Sequence, residues 1–314
     1  MLTNKLIAEL TENDGVIEAQ YLVANASKAT NRTSGASYWT IDLKDSSGQL
    51  NAKKWSVDIG DDDIFVAGNV INVKGEVSKY NDAIQIRINS ASIVDPNEID
   101  VDRFLKQPPV SKEELTNRFN NYVNSIKNKE CKAILDWIIN KIGIKFYDHP
   151  AAVSIHHDYL SGLLMHTVTM ADIASSLVKV YDADYDVLIT GVLLHDLGKT
   201  IELEGPIVFK YSLEGKLIGH ISILSAMIKE AADELKLEGE TPLLLQHMIL
   251  SHHGQQEFGS PVLPSTKEAL LLSLVDNLDC KMVALNKALE TTKEGEFSNK
   301  IFSLDGRCVY KPKK

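Results

Sequence analysis

All nine histidines of the chain fall between positions 149 and 253, and the first 148 residues contain none. Histidine titrates near neutrality and is the commonest metal ligand. Its confinement to one stretch predicts two regions with different chemistry. The length of 314 residues agrees, since it corresponds to about two domains.

Within the histidine-rich stretch, the nonpolar run Val192-Leu193-Leu194 leads directly into His195-Asp196, then Leu197-Gly198-Lys199. A carboxylate at the end of a buried-looking segment needs a partner, because desolvating an unpaired charge is expensive. Upstream lies Gly162-Leu163-Leu164-Met165-His166-Thr167; downstream lie Gly219-His220, Ser251-His252-His253-Gly254 and Leu274-Val275-Asp276-Asn277-Leu278-Asp279. Each falls on a predicted helix or at its end, and packed helices can point such side chains into one interior site.

Imidazole with carboxylate suits borderline divalent metals such as Mn, Fe, Co or Zn, and the lack of cysteine motifs argues against a thiolate site. Asp196 can reach two cations with its two oxygens, which gives it its partners. The expected ligands of a first ion are His166, His195, Asp196 and Asp276; those of a second are Asp196, His220, His252 and His253. Two such ions can activate a water and clamp a phosphoryl group. A lone His220 would more often be a hydrogen-bonded core residue. Five histidines and two aspartates in this order are far more specific.

Residues 1–95 read as strands. Trp39, Ile41 and Leu43 alternate on one face, Asp45-Ser46-Ser47-Gly48 is a turn, and Leu50 to Val57 is the expected return strand. Val70 to Val77 is another strand, Asn81-Asp82 a turn, and Ile84 to Ile88 alternates. Five or so strands in this length suit a small antiparallel barrel of the oligonucleotide/oligosaccharide-binding (OB) type. Residues 96–110 form an Asp- and Pro-rich linker, after which Ser111-Lys112-Glu113-Glu114 opens a helix. Further helices are expected over 163–181, 183–197, 220–236, 241–252 and 266–289. The expected organisation is multidomain: an all-β OB-type barrel (1–95), a linker with connecting helices (96–148), an all-α helical bundle (149–290) and a tail (291–314).

A net charge of −10 argues against a protein that coats nucleic acid by bulk electrostatics. It leaves room for a local basic path, or for cations that supply positive charge. No run of about 18 apolar residues is present, so no membrane span is expected. The N-terminus turns acidic without a small-residue cleavage site, and Cys131, Cys280 and Cys308 lack metal-like or disulfide-like spacing. Both features suit a reducing cytoplasm.

The motifs "GLLMHT…LLHDLGK…GH…SHHG…LVDNLD" resemble the HD-domain metallophosphohydrolase superfamily with its two-metal ligand set, over about 150–285. With the small N-terminal barrel, "HHDYLSGLLMHT" and the tail "FSLDGRCVYKP", nearly the full chain resembles the bacterial YhaM-type 3′→5′ exoribonucleases. That resemblance implies an OB-fold domain before a catalytic HD domain, degradation of single-stranded RNA from its 3′ end, and dependence on divalent metal, manganese in particular. It also makes a homo-oligomer an expectation. One departure is visible: Ser161-Gly162 stands where the family carries Gly-Gly.

Flanking residues have two readings each. His156 and His157 either contact phosphate or leaving group, as general acids, or sit at a helix start in solvent. Lys199 either complements a helix end after a Gly198 stop or contacts the scissile phosphate; its position beside Asp196 favours the latter. Asp279 shares a helix face with Asp276; it either orients a ligand, the preferred reading, or serves as a ligand itself. His247 and His149 read as structural. In the first domain Lys53, Lys54, Trp55, Lys79, Tyr80 and Arg87 interleave cations with aromatics, as a stacking surface for single strands requires. Trp39 reads as core. Lys and Arg number 9 against 13 Asp and Glu over 1–95, a net of −4, so the domain's charge alone does not establish strand binding.

Three functions compete. The first is hydrolysis of single-stranded RNA, with single-stranded DNA as a further substrate, to nucleoside 5′-monophosphates; the barrel holds the upstream strand and the catalytic set is His195, Asp196, Lys199, His156 and His157. The second is hydrolysis of small nucleotides or cyclic dinucleotides. The third is a nucleic-acid-binding regulatory factor without catalysis, against which the full ligand set weighs.

Overall fold

The computed structural model describes residues 5–31, 34–81, 83–104, 109–151, 160–205 and 209–313. His156, His157, Asp82 and Pro108 lie outside the described residues. The chain divides into two compact units, Met1–Gln107 with Gly205–Phe209, and Pro108–Glu204 with Lys210–Lys314.

The first unit is a closed barrel in the order β1-β2-β3-β5-β4, formed by β1 (Val16–Thr30), β2 (Ser37–Asp45), β3 (Gly48–Lys54), β4 (Val70–Tyr80) and β5 (Ala83–Ile93). All pairings are antiparallel except β3 with β5. This is the OB-fold arrangement. Alternation drives it: Trp39, Ile41 and Leu43 of β2 and Leu50 and Ala52 of β3 point inward to meet Ile17, Tyr21, Ile71, Val73 and Ile86. The β2–β3 turn is held by Asp45, whose Oδ1 accepts from Ser47 N at 2.8 Å. β3 ends at Lys54, short of the expected Val57, while β4 and β5 run longer than their clean alternation suggests.

The second unit is helical: α1 (Lys112–Ser125), α2 (Lys129–Ile142), α3 (Gly162–Tyr181), α4 (Tyr185–Leu194), α5 (His220–Glu234), α6 (Thr241–Ser251) and α7 (Lys267–Glu290), with shorter turns between. Ser111 caps α1 by accepting from Glu114 N at 3.2 Å. In α4 every residue from Val187 to Leu194 is buried. A helix apolar on all sides belongs at the centre of a bundle, and α4 packs against α2, α3, α6 and α7. Gly191 permits one of these contacts, because a Cβ there would lie 2.2 Å from Met248 Cε.

Helix α3 is long and apolar enough to cross a membrane by length and mean hydropathy (20 residues, 1.2). It is not a continuous apolar run, since His166, Thr167, Asp172, Ser175, Ser176 and Lys179 interrupt it. Leu163, Leu164, His166, Val168, Met170 and Ala171 on α3 are buried in the helical core, so we read it as a core helix. Past α7, Phe297 pairs with Tyr310 and Ile301 with Arg307 in a small antiparallel hairpin.

Candidate metal centre and strand-binding face

Helix α4 ends at Leu194, and His195 and Asp196 follow within the interior, 0% and 3% exposed. The chain then turns into the short helix Lys199–Glu202. Gly198 is not the helix stop that sequence suggests. A Cβ on it would meet the His220 carbonyl oxygen at 2.4 Å. Glycine here lets the HD segment lie against the start of α5, which brings His220 to Asp196.

The Asp196 carboxylate faces two sets of imidazoles. Its Oδ2 lies 3.4 Å from His195 Nε2 and 3.7 Å from His166 Nε2, while its Oδ1 lies 3.4 Å from His220 Nε2 and 3.8 Å from His252 Nε2. Asp276 Oδ1, on α7, is 3.4 Å from His166 Nε2. Ligand atoms of His166, His195 and Asp196 lie within 4.8 Å of one another, as do those of His220, His252 and His253. The seven residues singled out in sequence therefore converge on one interior site with two lobes.

The outer edges of the rings are all engaged. Backbone carbonyls accept from His195 Nδ1 (Val192 O, 2.8 Å), His252 Nδ1 (Ile249 O, 2.7 Å) and His253 Nδ1 (Phe258 O, 2.8 Å). Carboxylates accept from His166 Nδ1 (Asp279 Oδ2, 2.6 Å) and His220 Nδ1 (Glu202 Oε1, 3.0 Å). A carbonyl can only accept, so it fixes the tautomer and leaves the Nε2 lone pair turned inward. Glu202 carries no spacing signal in sequence and was not foreseen. It stands six residues after Asp196 and also accepts from His220 N at 3.1 Å.

Among the described residues, three buried atoms in this pocket have no hydrogen-bond partner: Asp196 Oδ1, His220 Nε2 and His252 Nε2. Converging acceptors without a donor are costly and are what a cation requires. The donor set of imidazole and carboxylate suits borderline divalent ions, so these residues fit a divalent metal.

The electrostatics agree. Burial holds His252 well below its ordinary value and so neutral. Burial would raise the Asp196 carboxyl, but Lys199 and His195 outweigh it and keep the group ionised. Lys199 Nζ lies 2.7 Å from Asp196 Oδ2. Burial would lower His166 as well, yet hydrogen bonds to Asp276 and Asp279 raise it to about 10. In the metal-free protein a proton on His166 thus occupies the first lobe.

On the barrel, Lys53 Nζ stands 5.7 Å from the Tyr38 ring centroid, 5.4 Å from Trp55 and 5.8 Å from Tyr80. Tyr38 and Trp55 lie 4.8 Å apart, tilted by 31°. Arg87 is the neighbour of Lys53 across the β3–β5 pair. A groove of about 540 Å³ runs beside this cluster, lined by Gln49, Asn51, Lys53, Tyr80 and Gln85 among others. Trp55, Tyr80, Lys79 and Arg87 are exposed. Lys54 is not part of this face: it is 2% exposed and ion-paired with Asp58 at 2.6 Å and Asp61 at 2.7 Å. Trp39 is core at 6% exposure. Tyr38 was missed, although the β2 alternation places it opposite Trp39.

Residues 163–280 match the family model of the HD domain, and residues 25–94 match that of the OB-fold nucleic acid binding domain. Among solved structures, the second OB-fold domain of replication protein A from Methanococcus maripaludis aligns at 19% identity over 30% of this chain and 96% of that one, with a TM-score of 0.23. An OB domain from Thermoplasma acidophilum aligns at 11% identity over 33% of this chain and 90% of that one, with a TM-score of 0.24. The chain thus combines an OB-fold domain with an HD domain. The HD domain marks it as a metal-dependent phosphohydrolase, and the pairing suits one that acts on nucleic acid.

Proposed function

We propose that the chain is a 3′→5′ exoribonuclease of the YhaM type, which hydrolyses single-stranded RNA to nucleoside 5′-monophosphates. The observation that carries this reading is the Asp196 carboxylate, whose two oxygens face separate histidine sets, with Oδ1, His220 Nε2 and His252 Nε2 turned on one another without a hydrogen-bond partner among the described residues. His166, His195, Asp196 and Asp276 would hold one divalent cation; Asp196, His220, His252 and His253 would hold the other. Manganese is the proposed ion. A bound pair of such ions supplies an activated water and neutralises charge on the phosphoryl group.

The chain's own residues do the rest. Asp279 and Glu202 fix the rings of His166 and His220. Lys199 stays charged beside Asp196, since that carboxylate outweighs the lowering effect of burial, and adds positive charge next to the scissile phosphate. Tyr38, Lys53, Trp55, Tyr80 and Arg87 offer aromatic faces and cations to a single strand without reading its sequence. The match of this domain to a nucleic-acid-binding family supports that role.

The test is single-stranded RNA labelled at its 5′ end, incubated with the protein and Mn²⁺. The expected result is stepwise shortening from the 3′ end with release of nucleoside 5′-monophosphates. Internal cleavage, or no hydrolysis, would contradict the proposal. The second reading, a phosphohydrolase of small nucleotides, uses the same centre but has no need of the Lys53 cluster. It is favoured if Trp55→Ala and Lys53→Ala leave every activity unchanged.

A further inference from the structure

Helix α7 places Asp276 and Cys280 one turn apart on the same face. The Cys280 thiol donates to Asp276 Oδ1 at 3.5 Å. Ligand atoms of His166, Asp276 and Cys280 lie within 4.8 Å of one another. The neighbouring Asp196, 3% exposed, places its Oδ2 3.7 Å from His166 Nε2 at the edge of the same lobe. Sequence spacing gave no reason to place a sulfur here, and it led to the expectation that the centre is thiol-free. The fold nevertheless brings the Cys280 thiol beside two of the expected ligands.

We propose that Cys280 is a sulfur ligand of the first lobe, forming with His166 and Asp276 a face that captures thiophilic divalent cations such as cobalt, zinc or cadmium. The proposal rests on the cation-centre reading above and extends it to metal selectivity. Imidazole and carboxylate alone serve manganese, whereas a thiolate shifts preference toward softer ions. Coordination replaces the S–H bond by a sulfur–metal bond. The proton leaves to water, and no electron is transferred. The mixed set would let hard and thiophilic ions compete for one lobe while the His220, His252 and His253 lobe is untouched.

The experiment is titration of Co²⁺ into the metal-stripped full-length chain, carrying Cys308→Ser so that the exposed thiol is silent. Absorption is read in the near-ultraviolet for sulfur-to-cobalt charge transfer and in the visible for cobalt bound by any ligands. The expected result is a charge-transfer band that is lost in Cys280→Ser and Cys280→Ala but kept in Cys131→Ser. The visible bands should persist in all of these variants. Visible bands without a charge-transfer band, or a band that survives both Cys280 substitutions, would overturn the sulfur ligand and leave the centre standing. Absence of bound cobalt altogether would overturn the centre and this proposal with it.

Discussion

Glu202 Oε1 accepts from both the ring Nδ1 and the backbone N of His220, at 3.0 and 3.1 Å. One carboxylate thereby sets the orientation of the ring and the start of α5. The Glu202 group is itself held below the usual carboxylate range, because its bonds with His220 outweigh the raising effect of burial. Groups of this kind behind a metal-binding histidine change metal affinity by about 10–100-fold. Glu202→Ala should weaken binding of a divalent cation by that amount, and Glu202→Gln by less, since an amide oxygen can still accept. Calorimetric titration of Mn²⁺ checks both. Unchanged affinity in Glu202→Ala would remove Glu202 from the centre.

Lys53 and Lys54 should part company on substitution. Successive residues of a strand face opposite sides: Lys53 stands among Tyr38, Trp55 and Tyr80, and Lys54 is buried with Asp61. Lys54→Ala leaves a buried carboxylate with one fewer partner and should cost about 2 kcal/mol of stability, read by thermal unfolding, with RNA affinity retained. Trp55→Ala should cost about 1–3 kcal/mol of single-strand affinity, read by fluorescence anisotropy, with stability retained.

The proton on His166 predicts a pH dependence. Burial lowers this group, but Asp276 and Asp279 raise it to about 10 from 6.5. A raised folded-state value means that its contribution to stability in the metal-free protein is complete below the unfolded value and is lost as pH rises through about 10. A cation in the first lobe displaces the same proton, so apparent affinity should climb with pH by up to about tenfold per unit over that window. Proton uptake by buffers of different ionisation heat measures this directly. A pH-independent affinity would show that His166 is not a ligand.

Ser161 adopts a left-handed backbone, φ 59°, immediately before α3. Such a conformation is unfavourable for a residue with a Cβ. Ser161→Gly should stabilise the chain by about 1 kcal/mol, visible as a higher melting temperature. A lower melting temperature would mean that the buried Ser161 side chain contributes more than the strain it carries.

The convergence of these side chains was legible in sequence because they are of scarce types within one stretch: His166, His195-Asp196, His220, His252-His253 and Asp276. The apolar run before His195 was equally telling, since only a fully buried helix such as α4 lacks a polar face. Glu202 and Cys280 were not legible. Each reaches the site through tertiary placement, one on a single-turn helix and one a turn beyond Asp276, and neither has a spacing that distinguishes it. Lys54 could have been excluded by phase alone, since Leu50, Ala52 and Lys54 share the inward face of β3. β1 gave no clean alternation because Tyr21, Leu22 and Val23 are all buried and its register shifts between Val23 and Asn25.

The central claim concerns Asp196 as the bridge between two lobes. Metal content per folded chain, measured by elemental analysis after equilibration with Mn²⁺ and removal of free ion, tests it most directly. The account predicts about two ions in the native chain and, since one bridging carboxylate serves both lobes, loss of both from Asp196→Ala with the helical circular dichroism preserved. A native chain without bound metal, or an Asp196→Ala chain that keeps both ions, would contradict it.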